Sequence, residues 1–468
     1  MTRTVLRQHG PMLRSGSLPV HSYGSLALPS LEPLARKLVR VIPRVLGRAG
    51  LAGLVVGTCV ALGSAPAAAQ AGAPASGGES APTTVRVSGG GNRTLFKIAL
   101  PKILGDEATS ASVVETASRD FTLSSIFQVL DPASFTANLA AEGNGIDPTS
   151  WRNVGAEGVV KGASFPRGGN EHLELSLFVV SRGGEAVLKR EYDVPAGGVR
   201  GAVHQFDNEV VKWFTGTAGS FGTQMVFSAT TGRGQKGIFE VDSDGQGVHR
   251  LQSVSNVALA PAIGPGGVYY AGGLASGQYA LFKVGSQAAV LQRQGMIFGV
   301  AFGAGRMALV VSENGQSDIY VGNPDGTGLS KVTQGGLNTH PAFGPGGELA
   351  YVSNAGGNPQ IYVNGKRASW SGTYNMAPTW CNDPEGVRLV FMGRAGSTWD
   401  IFSVDAGGSQ ASMKRLTQDQ GSNTYPACSP DGRSVAFFSS RGGLYVMNNQ
   451  GQNQQKIATV NGESLRWQ

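Results

Sequence analysis

The sequence predicts a mainly β protein, a six-bladed β-propeller preceded by a small α/β domain. Three observations carry this: a phrase of strand, Gly-rich turn and strand recurs about every forty residues in the second half, the copies number six once the chain end is included, and the preceding segment carries both helix-period and strand-period apolar patterns. A four-stranded unit repeated at this period cannot bury both its faces alone and must stack on copies of itself.

The phrase is clearest in Pro341-Ala-Phe343-Gly-Pro-Gly-Gly-Glu-Leu349-Ala-Tyr351-Val-Ser353. It returns as Pro426-Ala-Cys428-Ser-Pro-Asp-Gly432-Arg-Ser-Val435-Ala-Phe437-Phe-Ser439, and as Pro378-Thr-Trp380 leading to Leu389-Val-Phe391. Third strands follow at Asp318-Ile-Tyr320, Ile361-Tyr-Val363, Asp400-Ile-Phe402 and Leu444-Tyr-Val-Met447, and fourth strands at Lys331-Val-Thr333 and Lys414-Arg-Leu416-Thr417. The innermost strands are marked by Ile263, Phe302, Phe343, Trp380, Cys428 and Trp467, at intervals of 39, 41, 37, 48 and 39 residues. The earliest second strand, near Met225 to Ser228, has no inner strand before it, and Ser464-Leu-Arg-Trp467 at the chain end supplies one. Pairing the two termini within one blade leaves the ring no free edge, and a monomer is expected.

Turn chemistry agrees. In Ser429-Pro-Asp-Gly432, Pro presets φ, Asp can accept backbone N–H groups, and Gly takes positive φ; in Gly264-Pro-Gly-Gly267 and Gly344-Pro-Gly-Gly347, Gly replaces the Asp. Most of the 70 glycines are read as turn residues, because apolar alternation persists between them.

The formal charge of +7 does not indicate an anionic partner. Residues 1–69 hold eight basic residues against one acid, Glu32, which accounts for all of it, and the rest of the chain holds 30 of each sign. A neutral body gives no electrostatic case for nucleic acid or an anionic membrane. Residues 1–69 read as an export signal with a long basic leader: an apolar run from Leu51 to Leu62, then Ala67-Ala-Ala69-Gln70 as a small-x-small cleavage site. Twelve apolar residues are short of the roughly 20 that span a bilayer, so no direct membrane insertion is expected and the mature chain is placed outside the cytoplasm. Cys59 lacks the context of a lipoprotein site. Two cysteines remain, Cys381 and Cys428, on neighbouring inner strands; export permits a disulfide and one of two strand orientations would let them face each other. Two small buried side chains is the preferred reading.

Residues 70–84, rich in Ala, Gly, Pro and Ser, read as a flexible tether, and residues 85–215 as the α/β domain. Strands are predicted at Thr94 to Leu100, Phe127 to Leu130, Gly158 to Ala163, His172 to Val180 and Glu185 to Tyr192, the fourth alternating Leu173, Leu175, Leu177 and Val179 on one face. Helices are predicted at Ala108 to Arg119 and over Val199, Val203, Phe206, Val210 and Trp213, which share one helical face. The propeller is placed at 222–468.

The order of these parts resembles the TolB family of the Tol-Pal envelope system, over roughly residues 83–468. Local runs strengthen the likeness: Phe127-Gln-Val-Leu-Asp131, Trp151-Arg-Asn-Val-Gly-Ala-Glu-Gly-Val-Val160, Trp213-Phe-Thr-Gly216 and Phe221, beside PD40-type blades. The resemblance implies a binding scaffold without catalytic residues or cofactors, serving outer-membrane integrity and envelope constriction at division. Its implied partners are the peptidoglycan-associated lipoprotein Pal at one propeller mouth and TolA at the N-terminal segment. Carried over, the mouth is lined by Met296, Ile297, Phe298, Asn338, Thr339, His340, Asn375, Met376, Asn423, Thr424 and Tyr425, and the segment is Val85, Arg86 and Val87. Thr339 matches a position the family uses; Met296 replaces a His and His340 an acid. The segment departs from the family in lying behind the tether.

Enzymatic readings are weaker. No Gly-x-Ser-x-Gly elbow occurs. A metal-dependent propeller lyase would need several His at the channel, and only His249 and His340 lie in the ring, on different strand types. No metal site is assigned, although calcium held in the channel by carboxylate or carbonyl oxygens stays open. Asp318, Asp400 and Asp405 are read as turn and strand caps. The non-enzymatic alternative is an envelope glycan-binding propeller, for which Trp370, Trp380 and Trp399 are the candidate aromatics, with Trp380 better read as blade core.

Overall fold

A computed structural model describes residues 95–135, 139, 142–370 and 372–468, all within one compact unit. The leader, the tether and the segment Val85 to Val87 lie outside the described residues.

The first domain runs β1 (Phe96–Ala99), α1 (Glu107–Ser124), β2 (Phe127–Val129), α2 (Pro148–Asn153), β3 (Gly158–Arg167), β4 (Asn170–Val179), β5 (Ala186–Val194) and α3 (Val199–Thr215). Its sheet order is β2-β1-β3-β4-β5, with β1 parallel to both neighbours and the remaining pairs antiparallel. Leu173, Leu175, Leu177 and Val179 on alternate positions of β4 bury one sheet face against Val113, Ala117 and Phe121 of α1 and Val203, Phe206 and Val210 of α3. Each such side chain contributes about 2 kcal/mol on burial. Asp106 caps α1 by accepting the Thr109 N–H at 2.9 Å. The helix continues beyond the predicted Arg119 because Asp120 and Phe121 both have buried places in the domain. On the other sheet face Trp151 of α2 is fully buried, and its indole N–H donates to Glu142 Oε2 at 2.7 Å, an oxygen shared with Lys161 Nζ.

Six sheets make the ring. Blade 1 holds β6 (Gln224–Gly232), β7 (Gln235–Asp242) and β8 (His249–Arg250); blade 2, β9 (Ala258–Gly264), β10 (Gly267–Gly273) and β11 (Tyr279–Lys283). Blade 3 holds β12 (Met296–Gly303), β13 (Arg306–Glu313), β14 (Gln316–Gly322) and β15 (Ser330–Lys331), and blade 4, β16 (Asn338–Phe343), β17 (Leu349–Ser353), β18 (Gln360–Val363) and β19 (Lys366–Arg367). Blade 5 holds β20 (Asn375–Asp383), β21 (Gly386–Ala395), β22 (Thr398–Asp405) and β23 (Lys414–Arg415), and blade 6, β24 (Asn423–Cys428), β25 (Ser434–Ser439), β26 (Gly443–Asn448) and β27 (Gln455–Ala458). The last strand, β28 (Glu463–Trp467), pairs with β6 as the inner strand of blade 1. Blade 2 departs from the four-stranded expectation. The N–H groups of Val290 and Leu291 both point at the Leu281 carbonyl, so its outer ladder stops at one bridge.

Blades are fastened to one another by buried polar clasps. Asp318 on β14 accepts from Lys331 Nζ at 2.8 Å, Thr333 Oγ1 at 3.1 Å and Asn338 Nδ2 of the next blade at 3.0 Å. Gln360 does the same for blades 4 and 5, taking Ser369 Oγ at 2.7 Å and Asn375 Nδ2 at 2.8 Å. Asp400 binds Arg415 and, at 2.8 Å, Thr417 Oγ1. Burial alone would raise the Asp318 carboxyl, but the donors from Lys331 and Thr333 outweigh it and hold it below the ordinary value. Asp318 is therefore a clasp centre, Asp400 ties its strand to blade 5's own outer strand and the connection after it, and Asp405 caps a turn by accepting the Ser409 N–H at 3.0 Å. Between blades 5 and 6 the fastening is covalent. Cys381 and Cys428 form a disulfide with Cα atoms 5.3 Å apart, which corrects the reading of two separate buried side chains; both project into the same inter-blade core.

Candidate functional site

Each inner strand begins on the ring face to which the chain returns from the outer edge of the preceding blade, so the connections between blades emerge on that face. Four successive ones, or the first residues of the strand that follows, carry exposed apolar side chains: Val254, Met296 with Phe298, Leu337, and Tyr374, each between 36 and 44 % exposed. Phe298 packs on Tyr279 with ring centroids 5.0 Å apart, and Tyr374 meets the edge of Trp399 at 5.7 Å. Exposed apolar side chains thus recur on one face of the ring across blades 2 to 5, and exposed apolar surface of this kind is where an interaction site is sought.

The opposite face is occupied by the first domain. Arg119 of α1 donates Nε to the Asp244 carbonyl at 2.7 Å, and Arg200 of α3 pairs with Asp242 and Asp244 at 2.7 Å each. Asn453 in the blade 6 turn donates to the Thr122 carbonyl at 2.9 Å, and the Asp431 N–H donates to Ser220 Oγ at 2.9 Å. One mouth of the ring is thus covered from the side of blades 1 and 6, and the apolar arc lies on the other.

Behind this seam, Asp120 on α1 and Asp207 on α3 are buried within hydrogen-bonding reach of each other, and His204 Nδ1 lies 2.6 Å from Asp120 Oδ2. Two carboxyls can satisfy each other only by sharing a proton. Burial, then the Asp120 charge, pushes Asp207 well above its ordinary 3.8. A raised folded pKa means the site's stability is full below that ordinary value and is lost as pH rises toward the folded one. Asp207→Asn, which keeps a donor for Asp120 and cannot ionise, is expected to be more stable than the parent at pH 7 by about 1 kcal/mol or more. The gain should shrink toward pH 3.5 in chemical denaturation; a variant less stable at pH 7 would contradict this.

The sequence-derived mouth residues divide by burial. Met296 and Phe298 are exposed, Thr339, His340, Met376, Thr424 and Tyr425 are half-buried, and Ile297 is core. Asn338, Asn375 and Asn423 are buried. The amides of Asn338 and Asn375 serve the clasps, and Asn423 Nδ2 donates to the Gly421 carbonyl at 3.3 Å, so these three act on the mouth by holding its strands. Every inner strand is also bulged. His340 and Tyr425 have φ of 51° and 50°, as do Ala260, Ala377 and Ser464 at the matching positions with 46°, 50° and 55°, each where the strand register shifts. In four of the five the next residue is Pro, which has no N–H to lose at a bulge. Left-handed φ at non-Gly residues costs about 1 kcal/mol each, and such strain clusters where a side chain must be aimed. Burial, then the Glu463 charge, pushes the Tyr425 hydroxyl up to about 12, and burial with the Arg466 charge lowers His340 to about 4.

Of the candidate aromatics, Trp380 is half-buried with its indole donating to the Ala342 carbonyl at 3.1 Å, and Trp370 donates to the Gly408 carbonyl at 2.8 Å. Trp399 packs by Tyr374, so the three form no ring. His249 sits exposed on the outermost strand, far from His340 in radial position, and among the described residues no group of three His, Cys, Asp or Glu is arranged to hold a metal ion. Among the described residues no helix is long and apolar enough to cross a membrane.

The TolB amino-terminal domain model matches residues 83–185 and the TolB beta propeller domain model residues 211–383. The Tol-Pal system protein TolB of Anaeromyxobacter dehalogenans is 32% identical over 249 residues, covering 50% of this chain and 56% of that protein. The protein TolB homolog of Chlorobaculum tepidum is 32% identical over 236 residues, covering 49% and 52%. The chain spans about half the length of the curated relatives it matches. The crystal structure of TolB from Acinetobacter baumannii superposes with a TM-score of 0.67 at 22% identity, covering 80% of this chain and 96% of that one, which is a likeness of fold. With its amino-terminal domain and its propeller both matched, the chain belongs to the TolB family.

Proposed function

We propose that the protein is a periplasmic scaffold of the Tol-Pal system, receiving Pal at the uncovered propeller mouth and TolA through the segment around Val85, Arg86 and Val87, and working by binding without chemistry. In that role it supports outer-membrane integrity and envelope constriction during division. The observation that carries the reading is the apolar arc on the face opposite the first domain. Its side chains stand on short connections held by a rigid ring, which suits recognition of a folded partner at little entropic cost. Thr339 and Tyr425, on the inner strands at the rim of the bore, are the polar contacts of the same surface, inside the apolar arc, and an interface ordinarily combines apolar and polar contacts.

The test is calorimetric titration of the chain with the soluble domain of the same organism's Pal. One-to-one binding is expected, weakened at least tenfold, or by about 1.4 kcal/mol, by Leu337→Asp or Tyr374→Ala. Val248→Asp, on the covered side of blade 1, should leave affinity unchanged. Equal affinity in all three variants would remove the mouth from the proposal.

A further inference from the structure

The position just before each inner-strand marker is small in five blades, Ala262, Ala301, Ala342, Thr379 and Ala427, and is Arg466 in the sixth. Four of the five small residues, all but Ala427, line a cavity of about 270 Å³ in the bore together with Ile263, Phe302, Phe343, Trp380 and Trp467, with Arg466 in its wall. Among the described residues the guanidinium donates one hydrogen bond, from Nη1 to the Leu465 carbonyl at 3.0 Å. Burial lowers its pKa to about 10 with no carboxylate opposing the shift. Across the bore, His340 is close enough to feel that charge. Its Nδ1 lies 3.0 Å from Thr339 Oγ1.

Arg466 is half-buried on the cavity wall and no carboxylate among the described residues offsets its charge, so a neutral side chain of similar size would serve the ring better. Five blades solve the position with small residues. We propose that the axial channel binds an oxyanion, a carboxylate or phosphate group, through the planar fork of Arg466. Arg suits bidentate capture of such groups, and the low-dielectric bore strengthens it. The site lies within the ring and stands whether or not the mouth receives a protein.

The purified chain is titrated with sodium acetate and, separately, with inorganic phosphate at constant ionic strength, following thermal unfolding and the ¹⁵N resonance of the Arg466 Nε. The expected result is a saturable resonance shift and a rise in melting temperature of about 3 °C at a hundredfold excess over Kd. A response to acetate alone assigns the site to carboxylates, and one to phosphate alone assigns it to phosphates. Arg466→Gln should lose the response yet melt no lower than the parent without added anion, as expected of a residue kept for a ligand, and Arg466→Lys should retain part of it. Equal responses in parent and Arg466→Gln, or none in the parent up to about 50 mM of either anion, would overturn the proposal.

Discussion

Deleting Leu465 to Gln468 is expected to open the ring and lower stability by about 5 kcal/mol or more. Leu465 is fully buried in the core shared by blades 1 and 6, with Met225, Phe438 and Val446. Its loss alone is worth about 2–5 kcal/mol. The deletion also removes the paired bonds between Gln468 and Gln224, at 2.9 and 3.0 Å, and the Trp467 indole bond to Thr223 Oγ1 at 2.8 Å. What remains is an unpaired β6 edge on a core open to water. Against a typical total of about 5–15 kcal/mol, most of the ring's stability goes. Calorimetric unfolding should show the propeller transition displaced far downward or lost. Replacing His249 and Arg250 of the outermost strand by Ala should cost under about 0.5 kcal/mol. A truncated chain that unfolds at the parental temperature would mean the ring is not closed by its terminus.

Replacing Cys381 and Cys428 together by Ser is expected to cost about 4 kcal/mol. The bridge spans a sequence separation of 47, and loop-closure entropy for a loop of that size gives about that value. It also joins blades 5 and 6 across a buried core, so its loss loosens the ring beside the closing blade. Denaturant midpoints should fall in the parent when reductant is added and should be insensitive to reductant in the double variant. No shift in the parent would show that the bridge does not contribute. A stabilising bridge requires an oxidising compartment, in keeping with an export signal.

The ring was legible in the sequence because its repeats are redundant. Ser429-Pro-Asp-Gly432 and Gly344-Pro-Gly-Gly347 mark the same turn with different chemistry, and the inner-strand markers Phe343, Trp380 and Trp467 sit where apolar burial demands them. The absent blade 2 outer strand was not legible, because Leu281 accepts two N–H groups and only the carbonyl's geometry reveals it. The clasps were half-legible: Asp318 recurs visibly as Asp400, but Gln360 fills the same place with a different residue type, which hides the pattern. For the mouth, the resemblance led to Asn338, Asn375 and Asn423, which are buried, the first two by reaching the neighbouring blade. It passed over Leu337 and Tyr374, which sit between strands with no periodicity to mark them. The recurrent Pro at 261, 341, 378 and 426 was the available signal for the bulges, and the substitution of Arg466 into a row of small residues was the signal for the channel. Both emerge once the strands are aligned by register, which phrase-matching alone does not provide.

The most direct test of a mouth that receives a partner is amide hydrogen exchange across the whole chain, with and without the soluble domain of the cognate peptidoglycan-associated lipoprotein at saturation. Protection is expected at the connections 253–258, 295–299, 336–340 and 373–377, with none added in 105–125 or 428–433 on the covered side. Protection confined to the first domain and the blade 1 and 6 turns, or no change anywhere, would contradict the account.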